Sequence, residues 1–387
     1  MTTTLFFFLC LCSVISHNVD GIQDTLKEDL EYETKPNLIN KTPIKTIYTK
    51  FGDIIDCVDI YKQPALDHPL LKNHKLQIKP NFENLIEKTF VNNSQIGSMF
   101  GLDGEECPPG TVPIHRVRSV LSEEKILKNH ILSKNLPGLQ HAETYITRKY
   151  GPFYKVSGTT SIYNPKVEKG QVSMVHIWVE NGHVKSSNRI IAGWHIIPKL
   201  YGDARTHFYT GWTSDDFQKT GCYNTKCRGF VQVDTKNFPG KYFADISKIG
   251  GPTYETYMAI TQDNQTKNWW ISLGNVSVGY YPAALFSNLG SASIVGWGGR
   301  TRANTGGISP PMGSGHFPDG NKARECYFSS PKVQDASRKD YTPASKKTKI
   351  RTDNTSCYSI YYYNKPLGVI FDEGIIHFGG PGGMCGI

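Results

Sequence analysis

SASIVGWGGRT, residues 291–301, sets strand formers beside gaps. Val295 and Trp297 suit a pleated, half-buried surface, while Gly296, Gly298 and Gly299 leave holes next to them. Glycine weakens a strand, so its presence marks a bulge or a place where another backbone or a ligand comes close. The same texture extends outward from about Thr144: QVSMVHIWVENG, NRIIAGWHIIP, THFYTGWTSDD, GFVQVDT, NWWISLGNVSVGYYP, CYSIYYYN and HFGGPGG. Short runs rich in Val, Ile, Tyr and Trp, separated by Gly, Pro, Asn and Asp, predict a mainly β protein with a C-terminal antiparallel β-sandwich. HFGGPGG has neither the lysine of a phosphate-binding loop nor a following helix, and no cofactor is expected.

The first third of the chain reads differently. MTTTLFFFLCLCSVIS is apolar from Leu5 to Ile15 and ends in small residues, so residues 1–16 are expected to be a signal peptide. The run is too short to span a bilayer. In PNFENLIEKTF, Phe82, Leu85, Ile86 and Phe90 share a helical face, and SEEKILKNHILSKN starts on Ser122 as N-cap before Ile126, Leu127, Ile131 and Leu132. A smaller mixed α/β domain over 17–138 is expected, then a linker around Asn135 to Glu143, and the sandwich over 139–387.

Nine cysteines are present, and Cys10 and Cys12 leave with the signal. The mature chain then keeps an odd number in an oxidising compartment. Cys57 and Cys107 fall in the first domain, Cys222 and Cys227 are spaced for a tight staple, and Cys357 with Cys385 ties the last strands to the tail. Cys326 is left over. No Cys or His pair has metal spacing. Sequons at Asn40, Asn92, Asn264, Asn275 and Asn354 agree with a secretory route, extracellular or in a cell wall. The net charge is +9, and residues 332–351, KVQDASRKDYTPASKKTKIR, hold much of it. Such a segment is expected to be a solvated surface loop, the functional alternative being attraction to an acidic polymer such as a cell-wall polysaccharide; neither nucleic acid nor membrane is an expected partner.

Several stretches are more specific. CVDIYKQPALDHPLLKNH (57–74), CPPGTVPIHR (107–116), AGWHIIPKLYGDARTHFYTGWT (192–213), GCYNTKCRGFVQ (221–232), NWWISLG (268–274), SPPMGSGHFP (309–318) and FGGPGG (378–383) together resemble the plant neprosin family. The resemblance implies a glutamic-peptidase-like sandwich made as a zymogen, whose N-terminal domain is a removable inhibitor. Active members cut peptide bonds, notably after proline.

That chemistry needs two facing carboxyl groups, one ionised to activate water and one protonated to release the amine. The family pattern puts one glutamate directly before Ala-Gly-Trp and another directly after Trp-Gly-Gly. Here those positions are Ile191 and Arg300. Neither residue type can do the work, and no acid lies between Asn188 and Lys199 or within 291–301. Glu180, Glu255, Asp372 and Glu373 read as solvated turn residues. The expectation is an inactive or weak peptidase-like protein that still binds extended or proline-rich peptides. Trp194, Tyr209, Trp212 and Trp297 are the expected groove walls. The rival expectations are a working prolyl endopeptidase and a polysaccharide binder.

Overall fold

A computed structural model describes residues 41–82, 105–116, 132, 136–183, 186–304, 307–364 and 374–386. The protein is mainly β, and all its strand pairs are antiparallel among the described residues. Two large sheets face each other. The first has seven strands, in the order Thr348–Thr352, Leu139–Ile146, Ile294–Arg302, Val172–Asn181, Asn188–Ile196, His207–Thr213 and Cys222–Tyr223. The second has nine, with Lys155–Ser161, Glu255–Gln262, Trp269–Leu273 and Cys326–Gln334 near its centre.

Side chains alternate between the faces of a strand, so each sheet gives one set to the space between them. Ile146, Val175, Ile177, Ile190, Ala192 and Phe208 meet Val156, Ile260, Ile271, Phe328 and Phe378 in one continuous core. Trp194 and Trp297 lie in that core with no solvent exposure. Each indole Nε1 donates to a carbonyl of the opposite sheet, Trp194 to Ser161 at 3.1 Å and Trp297 to Ser157 at 2.9 Å. Two tryptophans thus pin the sheets together without leaving a polar atom unpaired.

The N-terminal part folds as a three-stranded sheet of Lys45–Tyr48, Ile54–Asp59 and Thr111–His115. It is held to the sandwich by polar clasps. Gln63 and Gln232 exchange two hydrogen bonds, at 3.0 and 2.7 Å. Asp53 accepts from Arg205 at 3.0 Å. Asp263 accepts from the Asn81 backbone at 2.7 Å and from Gln77 at 2.8 Å. The helices expected over 82–90 and 122–135 fall almost wholly outside the described residues, as do Asn40, Asn92, Asp372 and Glu373.

Disulfides join Cys57 to Cys107, Cys222 to Cys227 and Cys357 to Cys385, and Cys326 is a buried free thiol. Asn264 and Asn275 are exposed in turns between strands. Asn354 is half-buried, and its amide donates to the Cys385 carbonyl at 2.9 Å.

Three sequence readings need correction. The linker expected over 135–143 is in its second half part of the Leu139–Ile146 strand, paired on both sides. Gly and Pro end at Gly138, and from there His141, Glu143 and Tyr145 alternate with Ala142 and Ile146 in the period of a strand. The basic segment 332–351 is not one loop: it contains the end of the Cys326–Gln334 strand, the Asp340–Tyr341 bridge and most of the Thr348–Thr352 edge strand. Glu180 is not a solvated turn residue but a buried strand residue paired with Arg189 at 3.1 Å.

Candidate functional site

The seven-stranded sheet turns its other face, on which the groove is expected, away from the main core. Register fixes what stands there. In one row across the strands Glu143, Gly298, His176, Gly193 and Tyr209 are successive partners. The next row runs Tyr145, Gly296, Trp178, Ile191, Gly211 and Tyr223. Directly opposed residues share a face, so four glycines floor this surface.

The gaps in the Ile294–Arg302 strand are used. A Cβ on Gly296 would lie 2.4 Å from the Trp178 ring, which lies over that strand. On the core side, a Cβ on Gly299 would lie 2.7 Å from the Met312 sulfur. The glycines of 291–301 therefore admit one indole on the groove face and one thioether on the core face.

Ile191 and Arg300 both stand on this face of the sheet. Ile191 is packed with Trp178, Tyr209, Phe217, Tyr223 and Leu132 in a second apolar cluster. Arg300 is buried, and its Nε donates to Glu143 Oε1 at 2.6 Å. His176 Nε2 reaches the same oxygen at 3.0 Å. A carboxylate is thus present in the groove, but it comes from a strand 157 residues away and is already committed to a guanidinium.

Burial raises the Glu143 pKa, yet the charges of Arg300 and His141 and the hydrogen bond from His176 hold it well below the usual carboxylate range. Burial pushes His176 down to about 4, against the bond to Glu143. A neutral His176 that donates from Nε2 to the carboxylate leaves Nδ1 as an acceptor. That Nδ1 and the Tyr209 hydroxyl are buried without a hydrogen-bond partner among the described residues.

Of the expected aromatic walls, only Tyr209 faces the groove. Trp194, Trp212 and Trp297 belong to the inter-sheet core, because each falls one residue out of phase with the groove positions. Trp178 and Tyr223 supply the aromatic surface instead. Sequence reasoning also missed Glu143, His176 and Arg189, all of which are buried polar residues inside strand patterns, a combination that signals a paired or functional group.

The groove is filled. Leu132, from the segment preceding the sandwich, is fully buried in the cluster around Ile191. Its carbonyl accepts from Arg189 Nη1 at 3.1 Å and from Arg300 Nη1 at 3.4 Å. A Cβ on Gly211 would lie 2.3 Å from Leu132 Cδ1, so the leucine occupies the space that this glycine leaves.

Among solved structures, two of scytalido-glutamic peptidase with transition-state analogues are similar to the chain at 10% identity and a TM-score of 0.33. A third, of SCP-B, a member of the Eqolisin family of peptidases in complex with the tripeptide Ala-Ile-His, has 9% identity and a TM-score of 0.32. Each covers 62% of this chain and 97% of its own. The chain matches the Neprosin activation peptide over residues 46–137 and Neprosin over 169–381, the latter more than half of its 387 residues. The activation-peptide match takes in Leu132, and the Neprosin match takes in Ile191 and Arg300. With the activation-peptide match ahead of a Neprosin match that takes in more than half of its residues, the chain belongs to the Neprosin family.

Proposed function

We propose that this protein is a secreted, zymogen-built family member whose groove binds extended peptides but has lost most or all peptide-bond cleavage. The observation that carries this reading is the Arg300–Glu143 pair at 2.6 Å, on the strand that the family resemblance makes catalytic. Ile191 has no proton to give or take, and Arg300 stays a cation at any working pH. Glu143 is a poor substitute. Its carboxyl group, held well below the usual range, carries no proton for a leaving amine and is a weak base toward water.

Residues 1–16 are assigned as a cleaved signal, 17–138 as the inhibitory activation domain and 139–387 as the peptidase-like domain. Leu132 in the groove supports the inhibitory role, and three disulfides suit an oxidising compartment. No helix among the described residues is long and apolar enough to cross a membrane. The test is a digest of proline-containing fluorogenic peptides by the protein after limited proteolysis of its N-terminal part. Robust turnover that is abolished by replacing some other acidic residue of the chain would restore the endopeptidase reading.

A second reading is binding of an acidic cell-wall polysaccharide. It draws on Lys346, Lys347 and Lys349, which are exposed along and beside the edge strand Thr348–Thr352. Exposed charges are screened over about 8 Å at physiological ionic strength, so retention on a pectate column should collapse with added salt. Salt-insensitive retention would count against the basic edge.

A further inference from the structure

An extended peptide brings three things to a surface: a side chain, a carbonyl and an N–H. Each must be satisfied when water is excluded. The groove offers a partner for each within one patch. Gly211 and Ile191 bound an apolar hollow, with a Cβ on Gly211 lying 2.3 Å from Leu132 Cδ1 and 3.5 Å from Ile191 Cγ2. Arg189 and Arg300 converge on one carbonyl oxygen. His176 Nδ1 and the Tyr209 hydroxyl, in the adjacent row, are buried polar atoms without a partner among the described residues.

Charge decides what kind of oxygen the two guanidiniums read. Arg189 already lies between Glu180 at 3.1 Å and Asp216 at 3.4 Å, and Arg300 is bound to Glu143 at 2.6 Å. Both cations are offset by carboxylates. A neutral carbonyl fits between them, whereas a carboxylate would add an anion to a patch that already holds three.

We infer that, once Leu132 is displaced, the groove selects internal peptide segments carrying a leucine-like side chain, held by Gly211 and Ile191 with its carbonyl between Arg189 and Arg300. This rests on the peptide-binding reading and narrows it, because it sets leucine above proline. Proline has no N–H to offer His176 Nδ1, and its ring closes back on the backbone nitrogen instead of reaching over Gly211. The fork of each arginine is fixed by its carboxylates, so the site is organised before a ligand arrives.

The experiment uses the full chain with Leu132→Asp, which places a charge where the apolar side chain sits and so empties the groove. A fluorescent peptide ILKNHILSKNL, the sequence of residues 126–136, is titrated in by anisotropy, beside the same peptide with its second leucine (position 132) replaced by proline. The expected result is binding of the leucine peptide about tenfold or more tighter than the proline peptide, the difference one buried leucine makes. The parent chain should bind neither, and adding Gly211→Ala should abolish the leucine preference. L132G serves the same purpose if L132D loses its cooperative melt. Equal or tighter binding of the proline peptide overturns the inference and leaves the peptide-binding reading standing. Binding of neither peptide by a folded variant overturns both.

Discussion

Arg300 Nε donates to Glu143 Oε1 at 2.6 Å, and both side chains are buried on adjacent strands of the seven-stranded sheet. Removing one partner of such a pair leaves an uncompensated charge away from water, whereas replacing both removes the problem. R300M or E143Q alone should therefore lower stability by about 3–5 kcal/mol in denaturant melts, and the double change by clearly less than the sum. Additive losses would mean that the two groups do not interact.

The same pair bears on the test of the proposed loss of catalysis. R300E with I191E supplies two carboxyl groups at the expected positions, but the one introduced at 300 would face Glu143 with no cation between them. Adding E143Q removes that repulsion. The triple variant should cleave a proline-containing peptide measurably after proteolysis of the N-terminal part, and the I191E/R300E double less well. The unmodified protein should be silent from about pH 2.5 to 7, which spans ordinary and raised carboxyl pKa values. A triple variant as silent as the parent would show that other groove groups are also needed.

Stability should fall as the solution is made acid, with His176 as a named contributor. Its folded pKa of about 4 lies below the ordinary 6.5, so between those values the unfolded chain binds a proton that the folded chain refuses. Stability therefore rises with pH across that window and is fully present above 6.5. The His176 contribution is roughly 3 kcal/mol across the window. Glu143 acts in the same direction at lower pH, its contribution being lost as pH falls through its depressed folded value. H176Q, which keeps a donor for Glu143, should flatten the decline in melting temperature from pH 6.5 to 4. An unchanged slope would assign the acid sensitivity elsewhere.

Cys326 should be inert in the native protein. It has no solvent exposure, and burial pushes its thiol up to about 12. Alkylating reagent should leave the folded mature chain unlabelled and should modify one cysteine, Cys326, after unfolding without reductant. Label on any other residue would contradict the three disulfides.

Much of this protein follows from its sequence read locally. Strand alternation and turn residues determine the antiparallel sandwich, because burying one face of each strand is what drives the two sheets together. The motif order from Cys57 to Gly383 points to the family, and the sequence alone puts Ile191 and Arg300 at the two positions where the resemblance implies carboxyl groups. The division of cysteines between the two parts of the chain pointed to the pairs that the structure contains.

Tertiary structure alone decided what surrounds Ile191 and Arg300. Alternation says that Trp297 and Arg300 point to opposite faces, but not which face meets the other sheet. That depends on the register between distant strands, and it sends Trp194, Trp212 and Trp297 into the core and leaves Tyr209 in the groove. Glu143 could not be found by searching near the expected positions, because backbone hydrogen bonds between Leu139–Ile146 and Ile294–Arg302 bring it beside Arg300. Leu132 is local to neither. Sequence determined which groups each strand carries, while pairing between strands far apart in the chain determined which of them meet, since electrostatics and packing act through space and not along the backbone.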